Sequence, residues 1–158
     1  MSYDFNADEV FQMAEQMERN GQTFYRTAAE AVSDDEKKKL LLKLADMEVD
    51  HEKIFKAMRA ELTEKEKSST VFDPEGESAL YLRALVDTRV FFEKDLDVSS
   101  MEKILKAAIE AEKDAIVFYL GIKNSVPADL GQDRLDHIIK EEMGHVRLLS
   151  RELVQLKG

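Results

Sequence analysis

The sequence contains no cysteine and no tryptophan, only two prolines, and six glycines in 158 residues. Without cysteine there is no disulfide, no thiolate nucleophile, no iron–sulfur cluster and no thiolate zinc site. Any metal must be held by carboxylate, imidazole, carbonyl or water. The missing thiols also give no sign of an oxidising compartment. So few glycines and prolines argue against a turn-rich β architecture. No apolar run approaches the ~18 residues of a membrane-spanning helix. The opening residues, MSYDFNADEVF, lack the basic and apolar regions of a signal peptide, so a cytoplasmic protein is expected. Positive charge is short as well: 23 Lys and Arg stand against 33 Asp and Glu, for a net charge of −10 and a pI near 4.9. An acidic surface argues against non-specific nucleic-acid binding and against an anionic membrane.

What is present is helical. Hydrophobic residues make up 44% and charged residues 35%, a mixture that suits charged helix surfaces around a core. The length fits one domain. Val10, Met13, Met17, Phe24 and Ala28 recur at helical spacing and predict a helix over about 7–31, with Asn6 and Glu9 as its capping box. Leu40, Leu41, Leu44, Met47, Ile54, Phe55 and Met58 predict a second over about 34–60, opened by Ser33 and Glu36. A third follows Ser99, with Glu102 in the box position, and runs to about Asn124 before Pro127. A fourth covers about 130–156. Short connections make two antiparallel hairpins, about 6–60 and 99–157. Between them lies a stretch of about 61–98: polar TEKEKSSTVFDPEGES, then SALYLRALVDTRVFF, whose spacing predicts an extra short helix. Two hairpins joined by a long crossover make an all-α, ferritin-like four-helix bundle.

The scarcest informative residue is histidine, with three copies. Two of them sit in Glu-x-x-His: Glu48 with His51, and Glu142 with His145. A shift of 94 residues superposes these pairs, and also places Glu18 on Glu112 and Phe24–Tyr25 on Phe118–Tyr119. A glutamate falls at a chosen offset about one time in eight, so four such matches have odds of roughly one in a few thousand. The repeat is therefore taken as real. Residues three apart share a helix face, so each Glu-x-x-His pair aims at one point. One hairpin then brings Glu18 opposite Glu48 and His51, and the other brings Glu112 opposite Glu142 and His145. Four carboxylates and two imidazoles in one interior layer are the ligand set of di-iron and di-manganese carboxylate bundles. Buried together they repel, and two divalent cations neutralise them. Oxygen and imidazole donors suit two iron ions, with manganese or zinc as alternatives.

Tyr25 and Tyr119 repeat with these residues. They either hydrogen-bond a ligand or are core residues whose hydroxyls reach a polar layer. His137 has Arg134 three positions before it and is expected to be an ordinary helix histidine. Glu15, Glu52, Glu110 and Glu141 are expected at the surface, as is the Lys37–Lys39 run. The methionines read as core fillers.

EQMERNGQTFYRTAAEA, KLADMEVDHEKIF, AIEAEKDAIVFYLGI and IIKEEMGHVRLL resemble the four helices of rubrerythrin-like proteins. The resemblance covers the chain except the crossover. It implies ligand roles for Glu18, Glu48, His51, Glu112, Glu142 and His145, with Glu48 and Glu142 bridging. It implies a di-iron centre that reduces hydrogen peroxide or dioxygen, and a homodimer. Rubrerythrins commonly carry a rubredoxin domain with cysteine-bound iron. With no cysteine here, the expected electron donor is a separate protein such as a rubredoxin. Ala115 stands where full rubrerythrins have a further glutamate, one turn after Glu112. Ferrous-iron oxidation or storage, and a metal-stabilised bundle without turnover, are the competing functions.

Overall fold

The computed structural model describes residues 7–62, 97–125 and 131–158. They form four helices: α1 (Ala7–Ala31), α2 (Asp35–Ala60), α3 (Met101–Ser125) and α4 (Gln132–Lys157). Among the described residues there is no strand, and no helix is long and apolar enough to cross a membrane. The expected cap at Asn6, the polar stretch and extra helix of the crossover, and Pro127 and Leu130 lie outside the described residues.

Helix starts differ by a residue or two from the predicted boxes. At α2 the cap is Asp34, not Ser33: its carboxylate accepts from the Lys37 N–H at 3.1 Å. A charged acceptor also complements the positive end of the helix. At α3 the cap is Ser100, not Ser99. Its Oγ accepts from the Lys103 N–H at 3.2 Å, while the Ser99 N–H donates to Asp97. Glu102 then lies in the first turn and pairs with Lys106 and Lys157 at 3.0 and 3.3 Å. α4 begins after Gly131, whose φ of 97° is left-handed. That backbone conformation favours glycine, and a Cβ there would also push aside the Met58 methyl, 2.6 Å away.

Each helix has 25 or 26 residues and is therefore about 38 Å long. α1 packs on α2 and α3 on α4, and the hairpins meet through α1 with α3 and α2 with α4. Tyr25 bonds Glu112 while Tyr119 bonds Glu18, so α1 and α3 run antiparallel. Two apolar clusters fill the two ends. One gathers Val10, Phe11, Phe55, Met58, Phe118, Ile122, Leu135 and Ile138. The other gathers Phe24, Ala28, Leu41, Leu44, Ile104, Leu105, Ala108 and Leu149. Each large side chain so buried stabilises by ~1.5–3 kcal/mol. α2 ends in the first cluster and α3 begins in the second, at opposite ends of the bundle, which is the geometry a long crossover serves. Between the clusters every helix turns polar side chains inward.

Candidate metal centre

The six residues singled out by the repeat meet in that middle layer. Glu18, Glu48, His51, Glu112, Glu142 and His145 are each at most 5% exposed. Each comes from mid-helix, where neither terminus nor solvent can satisfy it. Glu18, Glu48, His51 and Glu142 offer ligand atoms all within 4.8 Å of one another, and so do Glu48, Glu112, Glu142 and His145. Glu48 and Glu142 belong to both sets. The layer thus offers two adjacent positions, each with one terminal carboxylate and one imidazole, and two carboxylates common to both.

The histidines present Nδ1 inward. His51 Nδ1 lies 2.7 Å from Glu142 Oε1 and 3.6 Å from Glu18 Oε2. His145 Nδ1 lies 3.4 Å from both Glu48 Oε1 and Glu112 Oε1. The two rings stack at 5.9 Å with 19° between their planes. These contacts are short without being aligned as hydrogen bonds. Glu18 Oε2, Glu48 Oε1, Glu142 Oε1, both His51 nitrogens and His145 Nδ1 are fully buried and have no hydrogen-bond partner. Orphaned polar atoms at this depth cost ~1–3 kcal/mol each. A pair of divalent cations is what such a donor set fits, since the carboxylate oxygens and the two histidine Nδ1 atoms among the orphans can turn lone pairs toward a shared centre.

The electrostatics of the layer's own side chains agree. Burial, then repulsion from Glu142, pushes Glu48 well above the usual carboxylate range. Burial, then Glu112, does the same to Glu142. Burial opposes protonation of His51, but Glu18 and Glu141 overcome it and raise its pKa. Burial would also raise Glu112, but Glu142, then His145, and last the Tyr25 hydroxyl carry it below its ordinary value.

Both tyrosines settle as hydrogen-bonding partners. The Tyr25 hydroxyl donates to Glu112 Oε1 and the Tyr119 hydroxyl donates to Glu18 Oε1, each at 2.5 Å. Each spans from one hairpin to the terminal carboxylate of the other. Their own ionisation is pushed far up, by burial and then by Glu112 for Tyr25 and Glu18 for Tyr119. Gly21 lies one turn after Glu18, and a Cβ there would stand 3.2 Å from Glu48 Oε2. Its bareness makes room for a shared carboxylate.

The neighbouring acids depart from expectation. Glu15 and Glu52 are buried, not at the surface, at 2% and 8% exposure. Glu15 is clamped by Arg59 at 2.6 and 3.1 Å. Glu52 takes Arg19 and Gln22 at 2.9 Å and Lys56 at 3.0 Å. Cationic partners farther along α1 and α2 were the missing signal, and they hold both acids outside the layer. Glu110 is exposed, as predicted. Glu141 is half-buried, with Oε2 3.4 Å from His51 Nε2 and Oε1 against the exposed His137.

The rubrerythrin family model matches residues 9–153. Among solved structures, the chain is similar to a crystal structure described as a ferritin-like diiron-carboxylate protein from Thermotoga maritima. The two share 26% identity, with 97% of each chain covered and a TM-score of 0.71. No curated protein matches the chain. The family match reaches into all four helices and covers every residue of the buried layer, and the chain belongs to the rubrerythrin family.

Proposed function

We propose that this protein is a di-iron oxidoreductase that reduces hydrogen peroxide or dioxygen with electrons from an external donor. The observation that carries this reading is the pair of overlapping ligand sets sharing Glu48 and Glu142, with their inward atoms orphaned. Six oxygen and nitrogen donor residues without sulfur suit iron or manganese, and four carboxylates favour the higher charge of an oxidised metal. A pair of ferrous ions bound there would supply the two electrons that, with two protons from solvent, reduce hydrogen peroxide to two waters.

The chain's own residues do the rest. Glu18, Glu112, His51 and His145 would each hold one metal, and Glu48 and Glu142 would hold both. The Tyr25 and Tyr119 hydroxyls fix the terminal carboxylates in one orientation and keep their phenolic protons. The apolar clusters on either side exclude bulk water. The 158 residues contain no cysteine, so electrons reach the layer from outside them, with a rubredoxin-type protein as the proposed donor. A homodimer in the cytoplasm completes the proposal.

The test is anaerobic loading with Fe(II), metal analysis, then rapid mixing with peroxide or dioxygen. The expected result is two irons per chain, lost in Glu48→Ala/Glu142→Ala, and faster oxidation by peroxide than by dioxygen. Faster oxidation by dioxygen with release of ferric iron would make it a ferroxidase. Bound metal inert to both oxidants would make it a metal-stabilised bundle.

A further inference from the structure

The two halves of the layer differ at the repeat-related pair that stands behind their histidines. With Nδ1 inward, each histidine turns Nε2 outward. His51 Nε2 faces Glu141 Oε2 at 3.4 Å, whereas His145 Nε2 faces Met47 Sδ at 3.3 Å. Met47 and Glu141 are 94 residues apart, the same offset that relates His51 to His145, and each immediately precedes a shared carboxylate. The same place in the fold is thus a carboxylate in one half and a thioether in the other. The difference extends outward: Glu141 Oε1 is held by His137, and the repeat partner of His137 is Lys43.

An ionised carboxylate is a strong acceptor for an imidazole N–H, and a thioether is a weak one. When Nδ1 binds a metal, Nε2 carries the ring's proton. An acceptor on that proton fixes the ring and raises its donor strength. Glu141 Oε2 lies 3.4 Å from His51 Nε2, near enough to accept its proton, while the other carboxylate oxygen stays on His137. Met47 offers His145 no equivalent.

We infer that the two metal positions are unequal: the one held by His51 binds more tightly, because Glu141 supports that histidine while Met47 stands behind His145. Glu141 and Met47 are positioning residues and touch no metal. The inference rests on the paired-metal reading of the site and not on turnover.

Anaerobic calorimetric titration of the full chain with Fe(II) tests it, together with the Mössbauer spectrum at one equivalent of iron. The wild type is expected to bind in two steps separated at least ~10-fold, with one dominant ferrous signal at one equivalent. Glu141→Met, which makes the halves alike, is expected to weaken the tighter step by ~10–100-fold and merge the two. Glu141→Gln keeps an oxygen acceptor and should preserve part of the separation. Met47→Glu is expected to tighten the weaker step. Lys43→Glu, a larger charge change one turn away, should leave the separation in place and so distinguish support of the ring from bulk charge. Positions 47 and 141 are both partly exposed, and circular dichroism of the metal-free variants checks that they fold. Two ions bound with equal affinity in the wild type, or a separation unchanged in Glu141→Met, overturns this inference and leaves the paired site standing. Failure to take up two ions overturns both.

Discussion

Gly21→Ala should act with opposite signs on the metal-free and metal-loaded protein. In a helix interior, glycine to alanine stabilises by ~0.5–1 kcal/mol, because the unfolded chain loses freedom. Gly21 lies mid-α1, so this gain is available. The new Cβ would stand 3.2 Å from Glu48 Oε2 and 3.4 Å from its Cγ, tight enough that one side must yield. Without metal, the Glu48 side chain can turn aside, and the variant is expected to gain the full ~0.5–1 kcal/mol. Glu48 belongs to both candidate ligand sets, so on the proposed function a bound metal pair would fix it from two sides. Displacing a carboxylate that serves both positions should weaken binding by ~10–100-fold, comparable to losing an outer support of a ligand. At saturating metal that removes about 1.4–2.8 kcal/mol of linked stability. The loaded variant should then be less stable than loaded wild type by roughly 0.5–2 kcal/mol after the helix gain. Urea unfolding with and without Mn(II), which avoids oxidation during the experiment, measures both numbers. An equal gain in the two states would refute the placement of Glu48 against α1.

The pH dependence of the metal-free protein follows from three raised groups. Glu48 and Glu142, lifted by burial, and His51, lifted by Glu18 and Glu141 against burial, all bind protons more tightly when folded. Such groups stabilise fully below their unfolded pKa values and lose that contribution as pH rises through the folded ones; Glu112 acts in the opposite sense. The melting temperature of the metal-free protein should therefore fall from about pH 5 to about pH 8, and Mn(II) should flatten or reverse the trend. A rise without metal would show that the carboxylates are not forced together. Tyr119→Phe strips a 2.5 Å hydrogen bond from Glu18 and leaves that buried oxygen unpaired, for a loss of about 1–3 kcal/mol. Tyr25→Phe should lose a similar amount through Glu112. Chemical denaturation of the metal-free variants would expose the error if either cost nothing.

The helices and the layer were legible because they depend on periodicity and on residue identity. Four amphipathic stretches and a 94-residue repeat of glutamates and histidines needed no knowledge of packing. Helix starts were less legible: Ser33 and Asp34, or Ser99 and Ser100, are adjacent rivals, and only the backbone turn decides which side chain reaches the N–H. The burial of Glu15 and Glu52 was hidden for another reason. Their partners Arg59 and Arg19 lie on the other helix of the hairpin, 44 and 33 residues away. Pairing across helices leaves no trace in local spacing. Glu141 and Met47 were hidden differently, since the repeat displays what matches and these two residues mark where it fails.

That failure is informative because the repeat holds to different standards in different places. Val10 and Ile104, Phe11 and Leu105, Leu44 and Ile138, and Phe55 and Leu149 are related by the same offset, and all are buried. Their identities differ while their class does not, because a core requires apolar volume more than particular atoms. The six residues of the layer and the two tyrosines match in identity, because a ligand atom or a donated proton has no apolar substitute. Glu141 opposite Met47 fits neither standard. It exchanges a charged acceptor for a thioether at a position touching a histidine of the layer, where loose substitution would be least expected. A bundle indifferent to which metal position filled first would gain nothing from that difference. One that takes up, oxidises or reduces its two metals in order would need a difference of this kind, placed outside the six residues so that the ligand set itself stays symmetric.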